Sequence, residues 1–151
     1  MLRQGSVEYG SKRGVTLESA VTPVDLVMNV DKPRMEQAVL NLLNNSIKFS
    51  CRGGSVKVSI TYPYTGAAGI PGSAYALMAV TDTGEGVASE DIMKIFGRFF
   101  QAEEHTTRKY QGMGLGLFIT KKIIEGHGGI IWAESKGRGL GTTINALLLA
   151  S

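Results

Sequence analysis

The sequence predicts an α+β fold, a two-layer sandwich of about six strands and three helices, on three observations. Short stretches alternate apolar and polar residues, as in Val56, Val58, Ile60 and Tyr62, which is the period of a half-buried strand. Longer stretches carry apolar residues at helical spacing, as in Met35, Val39, Leu42, Leu43 and Ile47. The two kinds of segment come in mixed order, and 151 residues suit one domain by the usual prior of about 100–200.

The elements follow in order. Residues 1–14 are polar, contain Gly5, Gly10 and Gly14, and are expected to form a leader, poorly ordered unless something docks on it; the domain is assigned to 15–151. Val15-Thr16-Leu17, Val21-Thr22 and the alternating Val24, Leu26, Met28 and Val30 predict two strands around a turn. Asp31-Lys32-Pro33 opens a helix running to about Phe49, because proline suits a first helical turn. Cys51 to Gly54 is a turn, Ser55 to Tyr62 a strand, and Pro63 to Ser73 a loop rich in Gly and Pro. Tyr75 to Thr81 is an apolar strand that delivers Asp82 at its end. Ser89-Glu90-Asp91 caps a short helix through about Phe96, with acids at the positive end of its dipole. Gln101 to Gln111 is polar and aperiodic, a mobile loop. Leu115 to Glu125 forms a helix ended by Gly126, and strands Ile130 to Glu134 and Thr142 to Leu149 flank a glycine-rich turn.

Composition narrows the function. Apolar residues at 43% and charged residues at 19% exclude a disordered tail, a collagen-like fibre and a coiled coil. No apolar run approaches the ~20 residues needed to span a bilayer, the first residues lack a signal-peptide core, and a lone Cys51 forms no internal disulfide. A cytoplasmic setting is expected, with a parent protein free to be anchored elsewhere. The net charge of +3 comes from 16 basic residues interleaved with 13 acids, which argues against a nucleic-acid face. The outlying figure is 20 glycines, roughly twice ordinary usage, clustered after Asp82.

Three polar constellations carry chemistry. On the first long helix Asn41, Asn45 and Lys48 share a face apart from the apolar stripe. Taken alone they read first as a solvated face, but three asparagines in five residues are an unfavourable helix composition unless they bind something. An amide oxygen suits Mg²⁺, and Lys48 suits a phosphate. Next, Asp82-Thr83-Gly84-Glu85-Gly86 reads either as a plain turn or as a recognition loop. A carboxylate at the dry end of a strand is costly unless it accepts hydrogen bonds, and a purine amino group is one such donor. There Gly84 and Gly86 would let backbone lie against the ring. Finally, Gly112-Met113-Gly114-Leu115-Gly116-Leu117 opens a helix without a preceding strand or a Walker lysine, leaving free N–H groups for an anion beside Arg108 and Lys109.

In this order the pieces resemble the ATP-binding catalytic domain of sensor histidine kinases, in the superfamily that also holds gyrase, the heat-shock chaperone of ninety kilodaltons and the MutL repair protein. The run from Asn41 to Ser50 resembles the family's N box, and Asp82 to Gly86 its first glycine box. Phe96-Gly97-Arg98-Phe99-Phe100 resembles the phenylalanine box. Gly112 to Leu117, followed by His127-Gly128-Gly129, resembles the second glycine box and its tail. The fold this implies is the Bergerat fold, a mixed, mostly antiparallel sheet covered on one face by about three helices.

The resemblance implies roles. Asn45 coordinates Mg²⁺, Asn41 and Lys48 approach the phosphates, Asp82 accepts from the adenine amino group and Phe49 sits near the base. Gly84 and Gly86 shape the adenine floor. Gly112, Gly114, Leu115 and Gly116 hold phosphates through backbone N–H groups, aided by Arg108 and Lys109. Gln101 to Gln111 corresponds to an ATP lid with Phe96, Phe99 and Phe100 at its base, although these also read as core aromatics. Hydrolysing relatives carry Glu where Asn41 stands, and an amide cannot be that base, which favours transfer to a protein. Gly97 and Gln101 depart from the common Glu and Arg. The two histidines, His105 in the lid and His127, lack the flanks of a phosphoacceptor, and His127 reads as structural. The expected activity is therefore to bind Mg-ATP for transfer to a histidine on a separate dimerisation domain, with a response regulator downstream and no autophosphorylation by this monomeric domain alone. A nucleotide-sensing module without transfer and a hydrolysing ATPase are the alternatives.

Overall fold

The computed structural model describes residues 4–22, 26–64, 74–98, 100 and 115–150. Its elements are α1 (Gln4–Arg13), β1 (Thr16–Thr22), α2 (Lys32–Phe49), β2 (Ser55–Tyr64), β3 (Tyr75–Asp82), α3 (Gly116–Gly126), β4 (Ile130–Glu134) and β5 (Thr142–Leu149). The described strands form one five-stranded sheet in the order β1-β2-β3-β5-β4. β1 and β2 are parallel and joined through α2, the kind of crossover that parallel neighbours require; every other pair is antiparallel.

Alternation sets the two faces of the sheet. Along β3 the buried residues are Ala76, Met78, Val80 and Asp82, every second position. Val56 and Val58 of β2, Met78 and Val80 of β3, Ile131 of β4 and Ile144, Ala146 and Leu148 of β5 join one core with Leu42, Leu43 and Ile47 of α2 and Ile124 of α3. The α+β sandwich is as expected, and β2 to β5, α2 and α3 lie within a residue or two of their expected limits. No helix among the described residues is long and apolar enough to cross a membrane.

Four local expectations are corrected. Residues 4–13, expected as a leader, form α1. The glycine that argued against order, Gly10, is buried, and a Cβ there would stand 3.1 Å from the Val15 carbonyl oxygen and 3.4 Å from Leu17 Cγ. Ser6 is buried as well, and Val15 N donates to the Gly10 carbonyl at 2.8 Å, so the helix packs flush on β1. The strand expected over residues 24–30 is absent from its described part, 26–30, which is coil. Residues 26–30 pair with no strand among the described residues, and Val27 is 69% exposed. The helix expected after Ser89 is a run of turns, in which Asp91, Lys94 and Gly97 donate to the carbonyls three residues before them. Ser89 bonds the Glu90 side chain instead of capping. Lastly, α3 includes Gly126, and the left-handed residue beyond its end is Gly128, at φ 71°.

Candidate functional site

α2 builds the centre of the site. The Asp31 side chain accepts from Arg34 N at 3.1 Å and starts the helix, with proline in the first turn. Ala38, Leu42, Leu43, Ser46 and Ile47 are buried, which turns Asn41, Asn45 and Lys48 to the flank, where all three are half-buried. Asn44 is exposed. Asn41 Nδ2 lies 3.4 Å from the carbonyl oxygen of Gly116, the first residue of α3, so the N-box segment touches the start of the helix that follows the second glycine cluster.

Lys48 Nζ sits 5.4 Å from the centre of the Phe49 ring. Desolvation, and then the charge of Arg13, pull its pKa below that of an ordinary lysine. Arg13 reaches α2 from the end of α1 and donates to the Lys48 carbonyl at 3.0 Å. Two cations thus stand together at the C-terminal end of α2, where the helix dipole also favours positive charge.

Asp82 ends β3 between Val56 of β2 and Thr142 of β5, and it is 7% exposed. Its Oδ1 accepts from Gly84 N at 2.9 Å and from Thr142 N at 3.2 Å. Burial pushes the carboxyl pKa up, and the two backbone bonds oppose that shift. The glycines beyond it are required by the protein's own backbone. A Cβ at Gly84 would run into the Phe49 carbonyl, one at Gly86 into the Gly137 carbonyl, and one at Gly141 into the Asp82 carbonyl. Glu85 N donates to Phe49 O at 3.1 Å, Gly139 N to Glu85 O at 2.6 Å, and Gly141 N to Gly84 O at 3.2 Å. The loop after β3 is therefore pressed between the end of α2 and the β4–β5 turn.

The second glycine cluster is described only from Leu115. Leu115 is half-buried, Gly116 is exposed, and the Gly116 carbonyl accepts from Thr120 Oγ1 at 2.8 Å. Arg108, Lys109, Gly112, Gly114, Phe99, His105 and the expected lid from Gln101 to Gln111 lie outside the described residues. Phe96 is buried in the core and Phe100 packs against it. His127 holds two helices together: its Nε2 accepts from Asp31 N at 2.9 Å, and its Nδ1 lies 2.7 Å from the Ile123 carbonyl oxygen, which assigns the proton to Nδ1. Sequence reasoning missed Arg13 and Thr142. A lone arginine in a polar stretch carries no signal, and Thr142 acts through its backbone.

The chain matches the family described as histidine kinase-, DNA gyrase B-, and HSP90-like ATPase over residues 30–150. It is 36% identical over 124 residues to the sensor histidine kinase WalK of Bacillus subtilis, covering 82% of this chain and 19% of WalK. The chain thus spans about a fifth of that relative's length. Among solved structures, full-length ShkA in complex with AMPPNP superimposes with a TM-score of 0.79 at 25% identity, over 98% of this chain and 28% of that one. The catalytic domain of histidine kinase ThkA in a nucleotide-free form gives 0.75 at 29% identity, over 94% of this chain and 83% of that one. ThkA in complex with the response regulator protein TrrA gives 0.72 at 27% identity, over 95% and 36%.

Proposed function

The chain belongs to the family of histidine kinase-, DNA gyrase B-, and HSP90-like ATPases, and on that premise we propose that it is the nucleotide-binding domain of a sensor histidine kinase. It holds Mg-ATP and presents the γ-phosphate to a histidine on a separate dimerisation domain, from which the phosphoryl group passes to a response regulator. The observation that carries this reading is the convergence on α2 of segments far apart in sequence. Asn41 meets Gly116, the Phe49 carbonyl meets Glu85, and Asp82 stands beside them at the end of β3.

Each group then has a task. Asp82 Oδ1 is occupied by Gly84 and Thr142, so Oδ2 is the oxygen that accepts from the adenine amino group, with Phe49 near the base. Lys48, with Arg13 bonded to its carbonyl, draws the phosphates to the end of α2, and the N–H groups from Gly112 to Gly116, with Arg108 and Lys109, are assigned to the same phosphates. Asn45 would hold magnesium, and its neutral, hard amide oxygen suits a cation that keeps waters and phosphate oxygens as its other ligands. When bound, that cation would neutralise charge on the phosphates during transfer. Among the described residues no group of three His, Cys, Asp or Glu offers a competing metal site.

One detail favours transfer over hydrolysis, and a second fits an acceptor histidine outside this chain. Asn41 is an amide, whose N–H₂ is turned to the Gly116 carbonyl, and it cannot take a proton from water. His127 has both ring nitrogens engaged between α2 and α3, which leaves neither to attack a phosphate. The test is incubation with radiolabelled ATP, with and without a histidine-kinase dimerisation domain supplied separately. Label is expected on the dimerisation-domain histidine, and none on this chain alone. Tight ATP binding with no label on either partner would make it a sensor, and steady phosphate release by the chain alone would make it a hydrolase.

A further inference from the structure

We propose that Ser135, just past the end of β4, is a positioning residue for base recognition, which acts by locking the loop after Asp82 onto the β4–β5 turn. The inference rests on the reading above, in which Asp82 meets the adenine amino group.

The hydroxyl of Ser135 is a three-way joint. It accepts from Val87 N at 3.0 Å and from Gly137 N at 3.3 Å, and it donates to the Gly141 carbonyl at 2.7 Å. Val87 closes the loop that begins at Asp82, while Gly141 immediately precedes Thr142. Thr142 N is one of the two donors that hold Asp82 Oδ1. One oxygen atom therefore fixes both the far end of the recognition loop and the strand residue that orients the carboxyl. Because both backbone donors fall on Oδ1, the direction of Oδ2 depends on Thr142 and Gly84 keeping their places. Without the hydroxyl, Val87 N and Gly137 N lose their shared acceptor, and the turn, still tied to the loop by Gly139 N to Glu85 O and Gly141 N to Gly84 O, is held less firmly relative to β3. Asp82 can then rotate, which weakens contact with an amino group on the base. The phosphate groups bind elsewhere, along α2 and at the start of α3, and do not feel that rotation.

The experiment compares ATP with inosine triphosphate, which has an oxygen in place of the amino group, on wild type, Ser135→Ala and Ser135→Thr, by calorimetry with magnesium present. Ser135→Ala is expected to bind ATP about three- to tenfold more weakly, the range of one or two lost net hydrogen bonds, with its inosine triphosphate affinity unchanged. Ser135→Thr, which restores the hydroxyl, is expected to recover the wild-type preference. Equal weakening of both nucleotides, an unchanged preference in Ser135→Ala, or no recovery in Ser135→Thr would overturn the proposal. If circular dichroism shows Ser135→Ala unfolded, Ser135→Cys takes its place, with a thiol of similar size and weaker hydrogen bonds. A wild type that binds ATP no better than inosine triphosphate would instead remove the adenine reading of Asp82, whatever the variants do.

Discussion

In the proposed function Asp82 combines base recognition with a stability cost, and its amide replacement separates the two. Burial raises its carboxyl pKa, so the folded state binds a proton more tightly than the unfolded chain. The ionised carboxylate is accordingly a cost to folding at neutral pH, and that cost disappears as pH falls through the folded pKa. Asp82→Asn keeps an oxygen for Gly84 N and Thr142 N while removing the charge and turning N–H₂ outward. Its melting temperature at neutral pH should equal or exceed that of the wild type, without the wild type's relative gain on mild acidification. Its ATP affinity should fall about ten- to hundredfold, because a donor then faces a donor. Thermal melts across acid pH and calorimetry check both halves, and a folded variant with wild-type affinity would refute the adenine contact. Asp82 was legible in the sequence because a charge at the end of an apolar strand demands partners. What compels glycine at 84, 86 and 141 was not, since the obstacles are carbonyls of Phe49, Gly137 and Asp82, brought there by the fold.

Between elements, α3 is pinned to α2 at both of its ends: Gly116 to Asn41 in the middle of α2, and His127 to Asp31 at the start of α2. The second pin is a tertiary bond across 96 residues, with the Nδ1 side of the same ring tied to the Ile123 carbonyl. His127→Ala removes the acceptor for Asp31 N and leaves the α3 end without its ring. A loss of about 0.5–1.5 kcal/mol is expected, since Asp31 is exposed to water, read as a lower urea midpoint at unchanged slope. An unchanged midpoint would show that water serves Asp31 N equally well. Elements whose signal is local were readable before folding: α2 from its apolar stripe and proline, β2 and β3 from alternation. Two elements that depend on a distant partner were misread, as was the local cap at Ser89, whose hydroxyl bonds Glu90 instead. Residues 26–30 alternate like a strand but have no strand beside them among the described residues, and α1 is polar enough to pass for a tail until its glycine meets β1.

For the whole molecule, α1 makes the folded unit begin before Val15. Val15 is 5% exposed in the core, Tyr9 and Leu17 pack against that core, and Val15 N donates to the Gly10 carbonyl. Deleting residues 1–13 strips this cover and is expected to cost about 2–5 kcal/mol, the scale of a large core truncation, read as a lower unfolding midpoint. The same deletion reaches the proposed phosphate-binding Lys48, because Arg13 bonds the Lys48 carbonyl and its charge helps to lower the Lys48 pKa. If Lys48 holds phosphate, ATP affinity falls as pH rises through that lowered pKa, at a lower pH than for an ordinary lysine. Losing Arg13 removes a repelling charge from the Lys48 ammonium, raises its pKa and moves that fall to higher pH. Arg13→Ala in the full-length chain should reproduce the move in the pH profile with a smaller change in midpoint, which separates the charge of the arginine from the packing of the helix that carries it. A truncated chain as stable as the whole would show that α1 adds nothing to the core, and an unmoved profile in Arg13→Ala would show that its charge is not felt at the phosphates.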